Sequence, residues 1–469
     1  MAPVVHEAMG TSHPEKVHAH IDERFEDHLR NIQEYLRQPS VAVTGEGIRE
    51  TASLTAEMIK QIGGWARVVP TKTHPLVIGG IKGASDATLL RYDMYDVQPP
   101  EPLDEWVSPP WAAEIKGDRI IARGASNNKG PLRAYFNALQ AILDVEGELP
   151  CSFEFIIEGE EEIGSFALAE YMNDHQADFT HCAGLDGWFA YQPTPTSPPP
   201  LELGFKGCLF FELVAGTHED LHSMVAALVD SPAWRLTWAL SSLRGADDRV
   251  AVKGFYDHVV PPTLEERTYL PKLASYLDIP KDWAGIPTLR GEGARSREAM
   301  LEELFFAPSP INVQGLTAGW QGDWCKTIVP GEAVAKIDIR TVPRQDGQDL
   351  LDAIRRHLDE RGFPDVKIRN VDITPWSRST ADAPVVQAAA QACRDFGHEP
   401  IFVPTDPGTS PSYLFTNNPP LRLPEFYGGL GHGGSIHAPN EYLLVESVRL
   451  FEKGTVNYLH HFAERAAAR

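Results

Sequence analysis

The chain has 469 residues, too many for one ordinary hydrophobic core, so two domains are expected. Hydrophobic residues make up 42% and charged residues 23%, the proportions of a water-soluble globular protein. The formal charge of −23, from 42 basic and 65 acidic residues, argues against nucleic acid and anionic membrane surfaces as partners.

The five cysteines, Cys151, Cys182, Cys208, Cys325 and Cys393, are odd in number and widely spaced. That pattern argues against a disulfide framework or a Cys-x-x-Cys zinc site. No apolar run with a basic lead opens the chain, and no stretch reaches membrane-spanning length. A cytoplasmic protein without signal peptide or membrane anchor is therefore expected.

Ser12-His13-Pro14-Glu15 predicts a capping box, and Val17, Ile21, Phe25, Leu29, Ile32 and Leu36 continue it at helical spacing. A second helix is expected over about 50–62, followed by strands over 66–69, 76–81 and 88–97. The last strand places Tyr92, Met94 and Asp96 on one face and Asp93 on the other. A short strand over 119–122 leads to the glycine-rich loop 124–130 and a helix over 131–145. That loop has neither of the common phosphate-binding glycine patterns, so no nucleotide site is expected.

Phe153, Phe155 and Ile157 alternate along a buried strand that runs into Glu158-Gly159-Glu160-Glu161-Glu162-Ile163-Gly164-Ser165, with a helix after it. Carboxylates at a strand end sit where open α/β sheets bind ligands. Three adjacent glutamates repel one another and resist burial unless a positive charge joins them. A divalent cation answers this, with one carboxylate as ligand and its neighbour free to shuttle a proton. A further short apolar run closes on Asp186.

From about residue 208 the pattern changes. A strand over 209–214, helices over 221–229 and 232–243, a strand over 333–339 and a helix over 349–361 suggest an inserted α+β domain, 208–380. Residues 1–207 and 381–469 form the other domain, α/β with a mixed, mostly parallel sheet flanked by helices. Its last part comprises a helix over 383–396, a strand over 401–403 returning to the first sheet, and a helix from Val445 to about Glu464. Between them, a glycine-rich loop carrying His432 and His437 is expected to bring an imidazole to the carboxylates.

These pieces form an ordered set: Gln38-Pro39-Ser40-Val41, Tyr95-Asp96-Val97-Gln98-Pro99, Arg123-Gly124-Ala125-Ser126, Asn128-Lys129-Gly130, the glutamate run, Asp220-Leu221-His222-Ser223, Gly254-Phe255-Tyr256, Lys326-Thr327, Arg340-Thr341-Val342-Pro343 and His437-Ala438-Pro439-Asn440-Glu441. The set resembles the co-catalytic zinc metallopeptidases across nearly the whole chain, and their carnosinase-type dipeptidase branch best. The wider group includes acetylornithine deacetylase, succinyl-diaminopimelate desuccinylase and glutamate carboxypeptidase. The resemblance implies a zinc-aminopeptidase-like catalytic domain interrupted by a lid domain that forms a homodimer. It implies Glu161 as general base, Glu162 as a metal ligand, Asp186 as a ligand of the other metal, His437 as the last ligand, and Asp96 beneath the site. It implies His222 as a lid histidine reaching the partner subunit's active site, with Arg340 and Thr327 holding the substrate's carboxylate.

The chain departs from the family at specific places. Met94 stands where the family has the histidine of His-x-Asp, and Asn127 where it has the aspartate bridging two metals. Lys206 replaces an arginine, and the stretch around Gly408 and Thr409 replaces a different substrate-binding pattern. Glu162, Asp186 and His437 together balance one divalent cation, not two, and a thioether is a weak zinc or manganese ligand. One zinc or manganese ion per subunit is therefore expected, held by Glu162 and His437 with Asp186 or the Asn127 oxygen. His432 is a candidate replacement ligand. Met94 either lines space for an apolar or planar substrate group or belongs to the core.

The expected activity is hydrolysis of a C–N bond (amide, carbamoyl or related) in a small specialised substrate, by metal-activated water with Glu161 as general base. His222, helped by Lys206 or Arg340, would steady the oxyanion. The alternatives are a non-hydrolytic relative that binds or regulates, or an aromatic deaminase or lyase using the same pocket.

Overall fold

The computed structural model describes residues 13–216, 218–277, 289 and 294–467. Ser12 of the expected capping box lies outside them. The chain divides into two compact units. The first comprises the chain up to Leu203, Ser379–Phe402 and the stretch from Leu414 onward, and the second comprises Gly204–Arg378 and Val403–Tyr413.

The first unit is built on a five-stranded sheet in the order Trp65–Val69, Leu76–Ile81, Cys151–Glu158, Ser85–Met94, Gly184–Asp186. The first two neighbouring pairs are antiparallel and the last two are parallel. The expectation of a mostly parallel sheet is thus corrected to an even mixture. The short link 70–75 can only make a hairpin, because a parallel connection needs a crossover of a dozen residues or more. Leu89, Leu90, Phe153, Phe155, Ile156 and Ile157 are all buried, so the central strands are covered on both faces.

Helices Pro14–Arg37, Lys129–Glu146, Pro384–Asp395 and Val445–Ala467 pack against one another, and the last also meets the two central strands. Val17, Ile21, Phe25, Leu29, Ile32 and Leu36 form the buried stripe of the first helix. Ile401–Val403 does not rejoin the central sheet. It lies in a separate three-stranded sheet beside Pro200–Glu202, which also pairs with Tyr427–Gly428.

The second unit has a four-stranded antiparallel sheet ordered Asn312–Ala318, Ala333–Thr341, Gly207–Ala215, Lys367–Thr374. Leu209, Phe211, Leu213, Ala335, Ile337 and Ile339 form its apolar face, packed with Leu236 of helix Pro232–Leu243 and Ile354 and Leu358 of helix Gly347–Glu360. Asp346 caps the latter helix by accepting from the N–H groups of Gln348 and Asp349. The helix expected over 221–229 is absent. Leu221 and His222 pair with Val329 and Ile328, and Ser223–Val225 makes one tight turn. Met224 and Leu228 are 80% and 85% exposed, so no apolar surface is offered on which a helix could settle. Val403–Tyr413 belongs to this unit, where the Lys206 N–H donates to the Asp406 carbonyl.

Within the helical layer of the first unit, fully buried Glu452 accepts from His28 Nδ1 at 2.7 Å and Asn137 Nδ2 at 2.9 Å. This joins three helices through one carboxylate. Glu452→Ala strands both partners and is expected to cost about 3 kcal/mol of stability, measured by denaturant unfolding. A loss below about 1 kcal/mol would show that the junction is not structural.

Candidate metal centre

The parallel strands Ser85–Met94 and Cys151–Glu158 end together, with Met94 opposite Glu158. The Tyr95 N–H still donates to the Glu158 carbonyl (2.8 Å). Beyond that point, fully buried Asp96 accepts the backbone N–H groups of Glu161 (3.2 Å) and Glu162 (3.0 Å) and so shapes the tight turn Glu161–Ile163. Burial, with Glu161 and Glu162 nearby, pushes the Asp96 carboxyl well up. Gly159 passes close to the Tyr95 ring, and a Cβ there would lie 2.4 Å from it. Only glycine lets the two strand ends come this close.

The three glutamates of the run separate in role. Glu160 turns inward and accepts from the Ala167 N–H, the Thr73 hydroxyl and the His74 N–H, satisfying the first turn of helix Phe166–His175. The Glu161 carboxyl makes no hydrogen bond among the described residues. Burial and then neighbouring Glu162 push it up to about 7, against a smaller downward pull from His437. Glu162 Oε1 meets Asn127 Nδ2 at 2.7 Å and His437 Nε2 at 3.1 Å, and those two nitrogens are 3.1 Å apart. Its Oε2 accepts from Gln98 Nε2 at 2.9 Å. The Glu162 hydrogen bond raises the His437 pKa above the ordinary histidine value.

Glu441 holds the two loops that supply Asn127 and His437. It is 1% exposed and accepts from the N–H groups of Gly124 (3.0 Å), Ser126 (2.9 Å) and Asn127 (2.8 Å), and from Arg123 Nη1 (2.8 Å). Asn440 beside it bonds the Val107 N–H and the Glu105 carbonyl. Ser435, His437 and Asn440 all have left-handed backbone, with φ of 56°, 62° and 64°. Such conformations persist in non-glycine residues only where the surroundings over-determine them, which these anchors do.

Two expected ligands are held by the protein's own groups. Asp186 is fully buried, and both its oxygens are engaged, Oδ1 by Arg91 Nη1 (3.4 Å) and the Trp188 N–H (3.0 Å) and Oδ2 by the Tyr135 hydroxyl (2.5 Å). His432 has Nδ1 against the Gln192 carbonyl (2.7 Å) and Nε2 against the Tyr442 hydroxyl (3.0 Å), which leaves neither nitrogen for an ion. Met94 is 7% exposed and packs as an interior side chain. Gln98 and Glu441 stood inside recognised motifs without an assigned role. A polar side chain just past a strand end, and an acid closing a loop of unusual backbone, were their signals.

The remaining candidates lie in the second unit. Lys206, 3% exposed, donates from Nζ to the Ala307 carbonyl. Burial and then the charge of Arg340 lower its pKa to about 8. The Asp406 side chain accepts the Gly408 N–H (2.6 Å), and exposed Thr409 follows. The Arg340 N–H donates to the Ser309 hydroxyl (2.7 Å). Exposed His222, whose Nδ1 accepts from the Met224 N–H, sits on the strand pair next to Thr327, whose carbonyl accepts the Ser223 N–H.

Among the described residues, no three side chains of His, Cys, Asp or Glu type gather in a way that could hold a metal ion. One carboxylate, one imidazole and the Asn127 amide do converge, and turning the amide presents its oxygen to the other two. These are oxygen and nitrogen donors of the kind that divalent cations accept.

Residues 89–464 match the family described as peptidase family M20/M25/M40. The chain belongs to that family. It is 28% identical over 332 residues to the human Beta-Ala-His dipeptidase, covering 67% of this chain and 63% of that protein, just under two thirds of its length. It is 26% identical over 403 residues to the Cys-Gly metallodipeptidase of Saccharomyces cerevisiae, covering 81% and 80% of the two chains. Its fold is similar to the M20 family metallo-carboxypeptidase Sso-CP2 of Sulfolobus solfataricus, with a TM-score of 0.82, 34% identity, and coverage of 93% of this chain and 99% of that one. The curated relatives are named dipeptidases, and the similar solved structure a metallo-carboxypeptidase. No described helix of this peptidase is long and apolar enough to cross a membrane.

Because Glu441 positions both loops, Glu441→Gln is expected to weaken metal binding and activity by about 10–100-fold while the protein stays folded. Calorimetric metal titration beside circular dichroism checks this. A change under about twofold would show that the loops hold their shape without it.

Proposed function

We propose that the protein hydrolyses the C–N bond of a small specialised substrate with one divalent cation, zinc or manganese, in each cytoplasmic subunit. A cation held by Glu162, His437 and the Asn127 amide oxygen would polarise a carbonyl and lower the pKa of water. Glu161 takes the proton from the attacking water and delivers it to the departing nitrogen, so an amide and water become an acid and an amine. The observation behind this reading is the Glu161 carboxyl, which stands beside Glu162 and makes no hydrogen bond among the described residues, so it is free to take a proton. A general base works best with a pKa near the operating pH. Lys206 and Arg340 supply positive charge for a substrate carboxylate, with Thr327 and the Gly408–Thr409 stretch as further contacts. We place a homodimer interface on the second unit, where exposed His222 would serve a partner subunit and help steady the oxyanion.

The relatives act on β-Ala-His and Cys-Gly by name, so those dipeptides belong in a first substrate panel. N-acyl and N-carbamoyl amino acids join them, because the departures from the family fall at metal and substrate positions. Glu161→Gln should keep its metal and lose turnover by about 10²–10⁴-fold. Mass spectrometry of products should show the elements of water added across the broken bond. Turnover undiminished in Glu161→Gln, or loss of a fragment without water, would overturn the reading. Arg340→Met should raise KM about tenfold or more for a substrate with a free carboxylate and leave its amidated analogue unchanged. An equal effect on both would remove Arg340 from carboxylate binding.

A further inference from the structure

Arg91 lies in the middle of an apolar strand and is 1% exposed. Asp93 is two residues on and shares its face, and Asp186 is its direct register partner on the neighbouring parallel strand. The topology therefore sets three charged side chains on one covered face of the sheet. Arg91 Nη2 donates to Asp93 Oδ2 (2.5 Å), and Nη1 to Asp186 Oδ1 (3.4 Å) and the Trp188 carbonyl (2.7 Å). The Tyr135 ring centroid lies 4.2 Å from the guanidinium carbon, and its hydroxyl donates to Asp186 Oδ2. Asp93 Oδ1 accepts from Asn128 Nδ2 (2.6 Å) and the Met94 N–H (2.8 Å).

We propose that the Arg91 guanidinium takes the place of a second metal ion in this peptidase, neutralising Asp186 and fixing the site's capacity at one ion. The proposal deepens the single-cation reading above and rests on it for the identity of the first ion. Two buried carboxylates without a cation are strongly unfavourable, and a planar fork with five donors can serve both at once. Every oxygen of Asp93 and Asp186 already accepts at least one hydrogen bond, so an ion binding there would compete with the donors that hold these carboxylates in place. A dication placed beside the guanidinium would also meet direct repulsion across a few ångströms of low-dielectric interior. Arg91 is a positioning residue as well. It orients Asp93, Asp93 holds Asn128, and Asn128 adjoins Asn127 at the remaining metal position.

Restoring family-like ligands alone should therefore fail to restore the second ion. Tightly bound manganese or zinc is counted by elemental analysis in the parent, in Met94→His/Asn127→Asp, and in Arg91→Met/Met94→His/Asn127→Asp. The double variant should bind as many ions per chain as the parent, and the triple variant one more. A gain already in the double variant, or none in the folded triple variant, overturns the proposal. A parent without any ion, with the gain between double and triple variants intact, would sink the single-cation reading and leave the role of Arg91 standing. If the triple variant does not fold, thermal melts of Arg91→Met decide. Added manganese should raise its Tm by several degrees more than it raises that of the parent, because an ion can then replace the lost charge. Equal shifts overturn the proposal.

Discussion

The carboxylate of Glu441 gathers three amides of one loop and one guanidinium, and the site's geometry follows from that bond set. Asn127 and His437 are more than three hundred residues apart in sequence, yet their side chains meet over one oxygen of Glu162. Neither loop has regular secondary structure at these positions, so hydrogen bonds to one fixed acid take over the work a strand or helix does elsewhere. The left-handed residues around His437 show how closely that stretch is constrained.

Charge is the second organising constraint. The edge of the sheet collects Asp93, Asp96, Glu158, Glu162, Asp186 and Glu441, most of them fully buried. Backbone amides, hydroxyls and two buried arginines bond them in different ways, although Glu158 Oε2 is buried without a hydrogen bond among the described residues. Asp96 depends on amides, Glu158 on the hydroxyls of Tyr92 and Ser165, and Glu441 and Asp186 on arginines. Lys129, also fully buried, gives its ammonium to the Gln38 carbonyl and the Tyr35 ring, and burial lowers its pKa to about 7. Arginine charge thus reaches Asp93, Asp186 and Glu441, while Asp96 and Glu158 have neutral donors only. Among the described residues, Glu162 and His437 converge with Glu161 beside them.

Much of this was legible in the sequence. Apolar periodicity marked the long first helix and the strand ending at Glu158, because burial on a known face writes itself into spacing. The glutamate run and the His437 loop were legible as chemistry that could meet. Three things were not. The even mixture of parallel and antiparallel pairs depends on strand order, which side-chain alternation does not encode. The helix expected over 221–229 failed because pairing with Ile328 and Val329 outweighed local propensity. The ion pair of Asp186 was visible only as an oddity, an arginine within Leu89-Leu90-Arg91-Tyr92, whose partner lies on a strand nearly a hundred residues away.

The inward turn of Glu160 gives the acidic run an unequal division of labour. Its carboxylate serves the buried Ala167 amide in the first turn of helix Phe166–His175, so it contributes to folding and not to chemistry. Adjacent letters of one acidic word are thus under different selective pressures. Drift at position 160 would register as heat sensitivity in a protein whose every surviving molecule still turns over at the full rate.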